Sequence, residues 1–525
     1  MSLFEIQNPR IRARLRYNIL PSDLEKSTIQ DSIHIAQLRL AEVEAQDRTD
    51  DSAAALRRYI SEYSSLLAPI RRLSVEVLQL ILIHPDIHGW EWIGSDRVTL
   101  YRTEAIGGVS HRWREVTRAT PILWSSFQIP LHRRNLYDLQ HLFRPTRIRL
   151  KLSKNAPLSI TFAPSKDDFP GDENVNKPLQ HARAVAKITA ELLLHAERWS
   201  HITLPLDHEF LALLSSAQGR LPWLESLGFV GSVRNKDELE KNLKIFEAAP
   251  KLRSLALSNG RSLESLSALP WSQLTRITAL HEFGFATEKL LKQSPELQRI
   301  VLYNRPDPSS NSNHAQISPK LRTVVFNGAQ STHDPIMTAF ASMETPELEE
   351  IYLLNCWAWN PSSIPSLLKQ SNCSLATLVL EQCRIRPAEL LAFFPAIRTL
   401  QTLVLVDNAG NTVSNLVLDG LTPTPDVVLL PMLHTFVLRG SYLCSTDRLL
   451  MLLESRMRSQ QCPIINVNIG LRDRELLASH LDRIAALPGK VAVTHLPPVW
   501  SICTGSPWQS AAYLDLMPEL LEATP

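Results

Sequence analysis

The sequence predicts an α/β chain in which amphipathic helices and a small helical module precede a long array of short parallel strands. Three observations carry the prediction. From residue 224 onward an apolar frame of the form LxxLxL recurs at quasi-regular intervals. Ahead of it, residues 69–127 hold short segments with helix-capping serines and the apolar residues Leu78, Trp113 and Trp124. Before these, apolar residues step by three and four, the period of a helix with one buried face.

In chain order, residues 1–23 open the chain with polar and arginine-rich sequence and are expected to be mobile. Residues 24–67 carry two stripes, Ile29, Ile33, Ala36, Leu40 and Val43, then Leu56, Ile60, Tyr63 and Leu67. Each has the spacing of an amphipathic helix or coiled coil. The stripes are out of phase across the polar run 46–52, so a kink or a two-helix hairpin is expected, with 50–52 able to cap the second helix. Such a stripe offers a surface for self-association or for packing on a neighbouring domain.

Residues 68–130 form the module. Ser74 is placed to cap a helix whose first turn holds Glu76, where the helix dipole favours a carboxylate. Leu78, Ile81 and Leu82 then line one face, and His84 followed by Pro85 should end the helix. Ser110 caps a second segment with Val109, Trp113 and Val116 on one side, and Pro121 suits the first position of a further turn. A unit this small buries a limited fraction of its surface, so a leftover apolar face would be covered by something else.

Residues 150–500 are organised by repetition. The frame appears as Leu224-Leu227-Phe229, Leu252-Leu255-Leu257, Leu274-Ile277-Ala279, Leu297-Ile300-Leu302 and Leu321-Val324-Phe326. It continues as Leu348-Ile351-Leu353, Leu375-Leu378-Leu380, Leu400-Leu403-Leu405, Leu433-Phe436-Leu438 and Ile464-Val467-Ile469. Start-to-start spacings run from 22 to 33 residues and cluster near the leucine-rich-repeat period. Pro222, Pro250, Pro295, Pro319, Pro346 and Pro431 stand two residues before a frame, where they end one helix and start the next strand. Alternation puts the fourth and sixth frame residues into a shared core and the residues between them on the open concave side. Helices over 237–249, 288–293, 365–370 and 387–394 would form the convex layer. One repeat cannot bury its own face, but stacked repeats share a continuous core. Upstream, 157–162 and 199–204 read as first strands bridged by a helix over 182–198. Polar stretches 164–177 and 306–316 read as exposed loops. A helix over 472–486 and a strand over 491–494 would close the array, leaving 501–525 as a C-terminal tail.

Composition narrows the function. A formal net charge of +2 over 525 residues, with no basic block, argues against nucleic acid or an anionic membrane as main partner. No apolar window is long enough to span a bilayer. Cys356, Cys373, Cys383, Cys444, Cys462 and Cys503 show no CxxC pairing and read as free thiols of a reducing compartment, cytoplasmic or nuclear. Phosphate-loop, nucleophile-elbow and HExxH motifs are absent from the sequence, so no catalytic residue, cofactor or metal is expected. His84 and His88 have ligand spacing, but Pro85 breaks the helix that would align them. Function should then lie on the concave face, at Arg276, Arg299, Tyr303, Thr323, Asn327, Glu350, Tyr352, Glu381, Thr435 and Arg439. Of these, Arg299, Tyr303 and Tyr352 are of the types that dominate binding hot spots, and Arg276, Glu381 and Arg439 complete the expected substrate contact.

The module residues resemble the F-box family. The run from Leu73 to Leu78 is similar to the family's Leu-Pro-x-Glu-hydrophobic-Leu, with Ser74 at the proline. The run from Val109 to Arg114 is similar to Val-Cys-x-x-Trp-Arg, with Ser110 at the cysteine, and Leu123-Trp124 is similar to the closing pair. The stretch 84–108 is longer than in a minimal F-box. An F-box ahead of leucine-rich repeats implies a substrate receptor of a Skp–cullin–F-box ubiquitin ligase. The resemblance implies that Leu73, Leu78, Ile81, Val109, Trp113, Leu123 and Trp124 bind the Skp adaptor, and through it cullin, while the repeats capture a protein substrate. The other reading is a ligase-independent repeat scaffold that joins proteins.

Overall fold

The apolar stripes at the N-terminus zip against each other. In the computed structural model, which describes residues 9–45, 51–84, 102–131, 136–164, 179–230, 236–258, 267–280, 287–303, 316–328, 343–357, 360, 362–407, 412–440, 444–459, 464–471, 478–488 and 490–495, helix Asp23–Ala45 packs along helix Asp51–Leu67. Both belong to the first of two units, Met1–Thr203. Ile29 and Ala36 of one helix and Ala53, Leu56 and Leu66 of the other are buried. Arg57 pairs with Glu44 at 2.6 Å. A hairpin therefore uses the stripes that self-association would have needed.

Within the segment 1–23 the described residues begin at Pro9. Pro9–Tyr17 is a helix, and it is docked through a side-chain latch. Asn18, in the left-handed region at φ 55°, donates from Nδ2 to the Arg71 carbonyl at 2.9 Å. Arg71 donates back to Asn18 Oδ1 at 3.2 Å, and Arg14 pairs with Glu25.

In the module, helix Val75–Ile83 starts where Ser74 Oγ accepts from the Val77 N–H at 3.3 Å. Helix His111–Ala119 starts where Ser110 Oγ accepts from the Trp113 N–H at 3.2 Å. A short 3-10 turn, Pro121–Trp124, follows with proline at its first position. These elements enclose Leu78, Leu82, Val116, Leu123 and Trp124, and Trp124 Nε1 donates to the Thr117 carbonyl at 2.8 Å.

The sheet begins earlier than 150, within the range assigned to the module. Strand β1 (Ser126–Leu131) starts two residues after Trp124 and pairs in parallel with β2 (Leu158–Pro164), which pairs with β3 (Trp199–Pro205). Helix Leu136–Leu152 makes the first crossover and Leu179–Leu193 the second. Phe127, Ile129, Ile160, Phe162 and Ile202 are buried on one side of these strands. Arg149, itself buried, lies 5.9 Å from the ring centres of both Trp124 and Phe127, so the crossover helix holds the module's last turn against the first strand.

The second unit, Leu204–Pro525, is built from the repeating frame. Its strands are β4 (Ser226–Val230), β5 (Ser254–Ser258), β6 (Arg276–Leu280), β7 (Arg299–Tyr303), β8 (Gln316–Ile317), β9 (Thr323–Asn327), β10 (Met343–Glu344) and β11 (Glu350–Leu354). Then come β12 (Thr377–Glu381), β13 (Thr402–Asp407), β14 (Thr435–Gly440), β15 (Asn466–Leu471) and β16 (Lys490–His495). All but β8 and β10, which pair with each other, form one parallel ladder in chain order. Each of the ten frames supplies a strand that begins two residues after its first apolar residue, and matching frame positions face each other, as in Leu378 beside Leu403 and Leu380 beside Leu405. The strand core of frame residues is buried throughout except at Leu302, which is half-buried. Helices Lys236–Leu243, Thr287–Gln293, Ser363–Ser371, Pro387–Phe393, Asn415–Leu421 and Thr446–Arg458 alternate with the strands. This is a leucine-rich-repeat solenoid with mixed α/β repeats.

Two side-chain devices hold successive repeats together. Cys356 and Cys383 occupy the ninth position of their frames, where the consensus has asparagine or cysteine. Cys383 Sγ donates to the Leu353 carbonyl of the preceding strand at 3.2 Å, and Cys356 Sγ reaches the Phe326 carbonyl at 3.9 Å. From the repeat that starts at Leu433, the fully buried Arg456 reaches back into the preceding, longest repeat and donates to the Leu421 carbonyl at 2.8 and 3.0 Å and to the Leu430 carbonyl at 3.0 Å. Leu421 ends a helix, so the guanidinium satisfies a carbonyl that has no partner within that helix.

Candidate functional site

Two surfaces have the chemistry of binding sites, one on each unit. On the module, the seven residues expected to contact an adaptor separate by depth. Leu78, Leu123 and Trp124 are the module's own core, and they act on any docking surface only by holding it in shape. Leu73, Ile81 and Trp113 are half-buried, and Val109 is 62% exposed. The helix geometry explains the division. Leu78 and Leu82 point inward at four-residue spacing, which turns Val77, Leu80 and Ile81 toward the other side. Leu80 is 70% exposed and Val77 is also exposed. Ile70, Val75 and Ile122 add further uncovered apolar side chains on the same module. Sequence reasoning passed over Val77 and Leu80 because it followed the stripe that carries the core. His88 lies outside the described residues.

On the solenoid, the register brings Arg299, Thr323 and Glu350 side by side on β7, β9 and β11. Thr323 Oγ1 donates to Glu350 Oε2 at 2.9 Å, and Tyr352 OH is 3.4 Å from the same oxygen. Burial raises the Tyr352 phenol above its ordinary value, and the Glu350 charge adds to the shift. Glu381 and Arg439 lie in the next row, separated by Val406 on the intervening strand. Tyr303 ends β7, and its side chain lies outside the described residues.

Exposure corrects part of the expected contact set. Arg276 is exposed, and Arg299, Thr435 and Arg439 are half-buried. Tyr352 and Glu381, however, are each only 1% exposed, and Thr323 and Asn327 are buried as well. The physical reason is the strip beside them. Val301, Val325, Tyr352, Val379, Val404 and Val437 fall opposite one another on six successive strands. With Leu354 and Val406 they form one buried apolar cluster on the side opposite the frame residues. A signal was present in the sequence: TVVFN, EIYLL, TLVLE and TLVLVD are near-continuous apolar runs, the mark of strands covered on both faces. On β5 and β6 the face remains open, with Ala256 and Thr278 only half-buried between buried frame residues.

Among the described residues, no three His, Cys, Asp or Glu side chains gather as a metal site, and no helix is long and apolar enough to cross a membrane. Burial raises the thiols of Cys373 and Cys383, which keeps them protonated and weakly nucleophilic at neutral pH.

No family model and no curated protein matches the chain. Among solved structures, it is similar to the yeast complex of Rad7 and Elc1, at 15% identity and TM-score 0.35, covering 76% of this chain and 93% of that one. It is also similar to an internalin, InlF, of Listeria monocytogenes, at 12% identity and TM-score 0.27, covering 68% of this chain and 83% of that one.

Proposed function

We propose that the chain is a substrate receptor of a Skp–cullin–F-box ubiquitin ligase. The observation that supports this most is the module itself. Two serine-capped helices close over a small core and leave Val77, Leu80 and Val109 exposed beside the half-buried Ile81, immediately ahead of a repeat sheet. The adaptor would cover that apolar face. The protein substrate would meet the solenoid at β5 and β6, where alternate positions reach water, with the exposed Arg276 and the half-buried Arg299 at the start of β7 and Arg439 as a further contact. The chain performs no bond chemistry in this reading. It raises the effective concentration of substrate lysines beside a ubiquitin-loaded enzyme that other subunits hold. Its free cysteines fit the reducing cytoplasm or nucleus.

Co-expression with the Skp adaptor of the same cell, followed by size exclusion, tests the reading. A one-to-one complex is expected, lost in the double variant Val77→Asp and Leu80→Asp while the solenoid stays folded. Replacing Leu78 would be a poor probe, because it removes core. If the folded wild-type chain elutes without adaptor, the receptor reading fails and a ligase-independent scaffold takes its place.

A further inference from the structure

The edge of the solenoid where the strands start changes its charge along the array. Between β7 and β11 the cations Lys320 and Arg322 on this edge meet carboxylates of neighbouring repeats, Lys320 with Glu296 at 2.6 Å and Arg322 with Glu347 at 3.1 Å. Around β5 and β6 that pairing stops. Lys251, Arg253 and Arg276 are exposed, and among the described residues none of the three has a carboxylate within ion-pair distance. Glu225, exposed ahead of β4, shares this stretch but does not balance it. The ladder holds the cations together. The Thr275 and Arg276 N–H groups both donate to the Arg253 carbonyl, at 2.8 and 3.0 Å, and Arg276 stands directly opposite the half-buried Arg299 on β7. Arg253 is tied to its own turn through Nη1, which donates to the Pro250 and Leu252 carbonyls at 3.1 and 3.0 Å. Lys251 lies over the Trp223 ring, with Nζ 3.4 Å from its centre, and Trp223 is still 55% exposed. Like charges side by side on adjacent strands repel, so the sheet bears a cost here that the paired stretch avoids.

We propose that this edge, formed by Trp223, Lys251, Arg253, Arg276 and Arg299, binds an extended acidic segment of a partner protein. The unbalanced charge falls on the same strands as the open inner face, where Ala256 and Thr278 are only half-buried, so a segment laid there meets both cations and an accessible sheet. Carboxylates are the complement of this set: each guanidinium can take one through two parallel N–H donors. From β4 to β7 is three strand steps, about 14 Å, which about four extended residues cover. At the β4 end, Trp223 offers an apolar surface beside the charges, and tryptophan and arginine are the types that carry most binding energy. The segment is therefore a short run of Asp or Glu with an apolar residue at one end. A nucleic-acid backbone fits less well, because it calls for a long basic stripe, whereas the chain as a whole carries a formal charge of only +2. The inference rests on the receptor reading in calling the partner a substrate; the binding chemistry itself does not.

Fluorescence anisotropy of the full-length chain, without adaptor, tests this with a labelled peptide of one leucine followed by five glutamates. Saturable binding is expected, and it should weaken at least about fivefold between roughly 50 and 300 mM salt, because the contacts are between solvent-exposed charges. The double variant Arg253→Glu and Arg276→Glu should lose at least about tenfold in affinity. Lys320→Gln with Arg322→Gln, on the charge-paired stretch, should stay within about twofold of the unaltered chain. Absence of binding up to about 1 mM peptide would overturn the proposal, as would equal losses in the two double variants. Undiminished binding of a peptide with glutamines in place of the glutamates would also overturn it. Tighter binding of a short thymidine oligonucleotide than of the acidic peptide would assign the edge to a nucleic-acid backbone instead. If the charge-reversed chain does not fold, the unaltered chain with the two peptides and the salt series still decides. The adaptor is absent from every arm, so failure of the receptor reading and failure of this one are read separately.

Discussion

Leu78 and Leu80 are two residues apart on one helix, and the structure assigns them opposite fates. Leu78 is 0% exposed and packs with Leu82, Val116, Leu123 and Trp124. Truncating a buried leucine to alanine costs about 2–5 kcal/mol, more where the surroundings cannot collapse into the space. Here Trp124 is pinned through Nε1 to the Thr117 carbonyl, so the cavity should persist and the cost should fall in the upper half, about 3–5 kcal/mol. Leu80 is a surface position, and Leu80→Ala should change stability by no more than about 0.5 kcal/mol. Native-state hydrogen exchange at the Leu82, Val116 and Thr117 amides of the lone chain measures the local opening free energy directly. Leu78→Ala should lower protection there by roughly two to four decades, at about 1.4 kcal/mol per decade. Leu80→Ala should leave it unchanged. A loss below about 1 kcal/mol for Leu78→Ala, or equal losses for both, would refute this division into core and free face, and with it the proposed docking surface.

Two further outcomes are expected. Arg456→Met keeps much of the buried volume but removes the donors to the Leu421 and Leu430 carbonyls; Leu430 still accepts from the Leu433 N–H, so the buried Leu421 carbonyl is the one left unmet, at a cost of about 1–3 kcal/mol, read as lost exchange protection in helix Asn415–Leu421, and unchanged protection would refute the clamp. Glu25 is held down to about 2, first by the Arg14 guanidinium and then by Ser22. A carboxyl whose folded value lies below its ordinary 4.5 contributes stability above that value and loses it as pH falls toward about 2. Protection of the Ile19 amide, which donates to the Arg14 carbonyl, should therefore drop between pH 4.5 and 2, and Glu25→Gln should abolish the pH step.

The repeat array was legible because its signal is periodic. An LxxLxL frame names both the strand and its buried face, and all ten frames became strands in register. Ser74 and Ser110 were legible because a cap is local chemistry. The first strand and crossover were not. β1 contains Pro130 and helix Leu136–Leu152 contains Pro145, and proline inside an element argues against that element when only the sequence is in view. Arg149 and Arg456 were missed because long charged side chains are expected at the surface, and the acceptors of Arg456 lie 26 to 35 residues away. Tyr352 and Glu381 were misjudged because residue type suggests a contact but does not reveal whether the face is already occupied.

The join between module and sheet sets how a bound partner is aimed. Ser125 alone separates the turn Pro121–Trp124 from β1, and its carbonyl accepts from the Ser159 N–H of β2 at 2.9 Å. With Arg149 lodged against the rings on both sides of that residue, the connection has no swivel. A protein seated on the module therefore inherits the heading of β1 to β3 as a rod inherits the angle of its socket. Whatever angular search brings a bound cargo to a distant reaction centre has to come from joints other than this one.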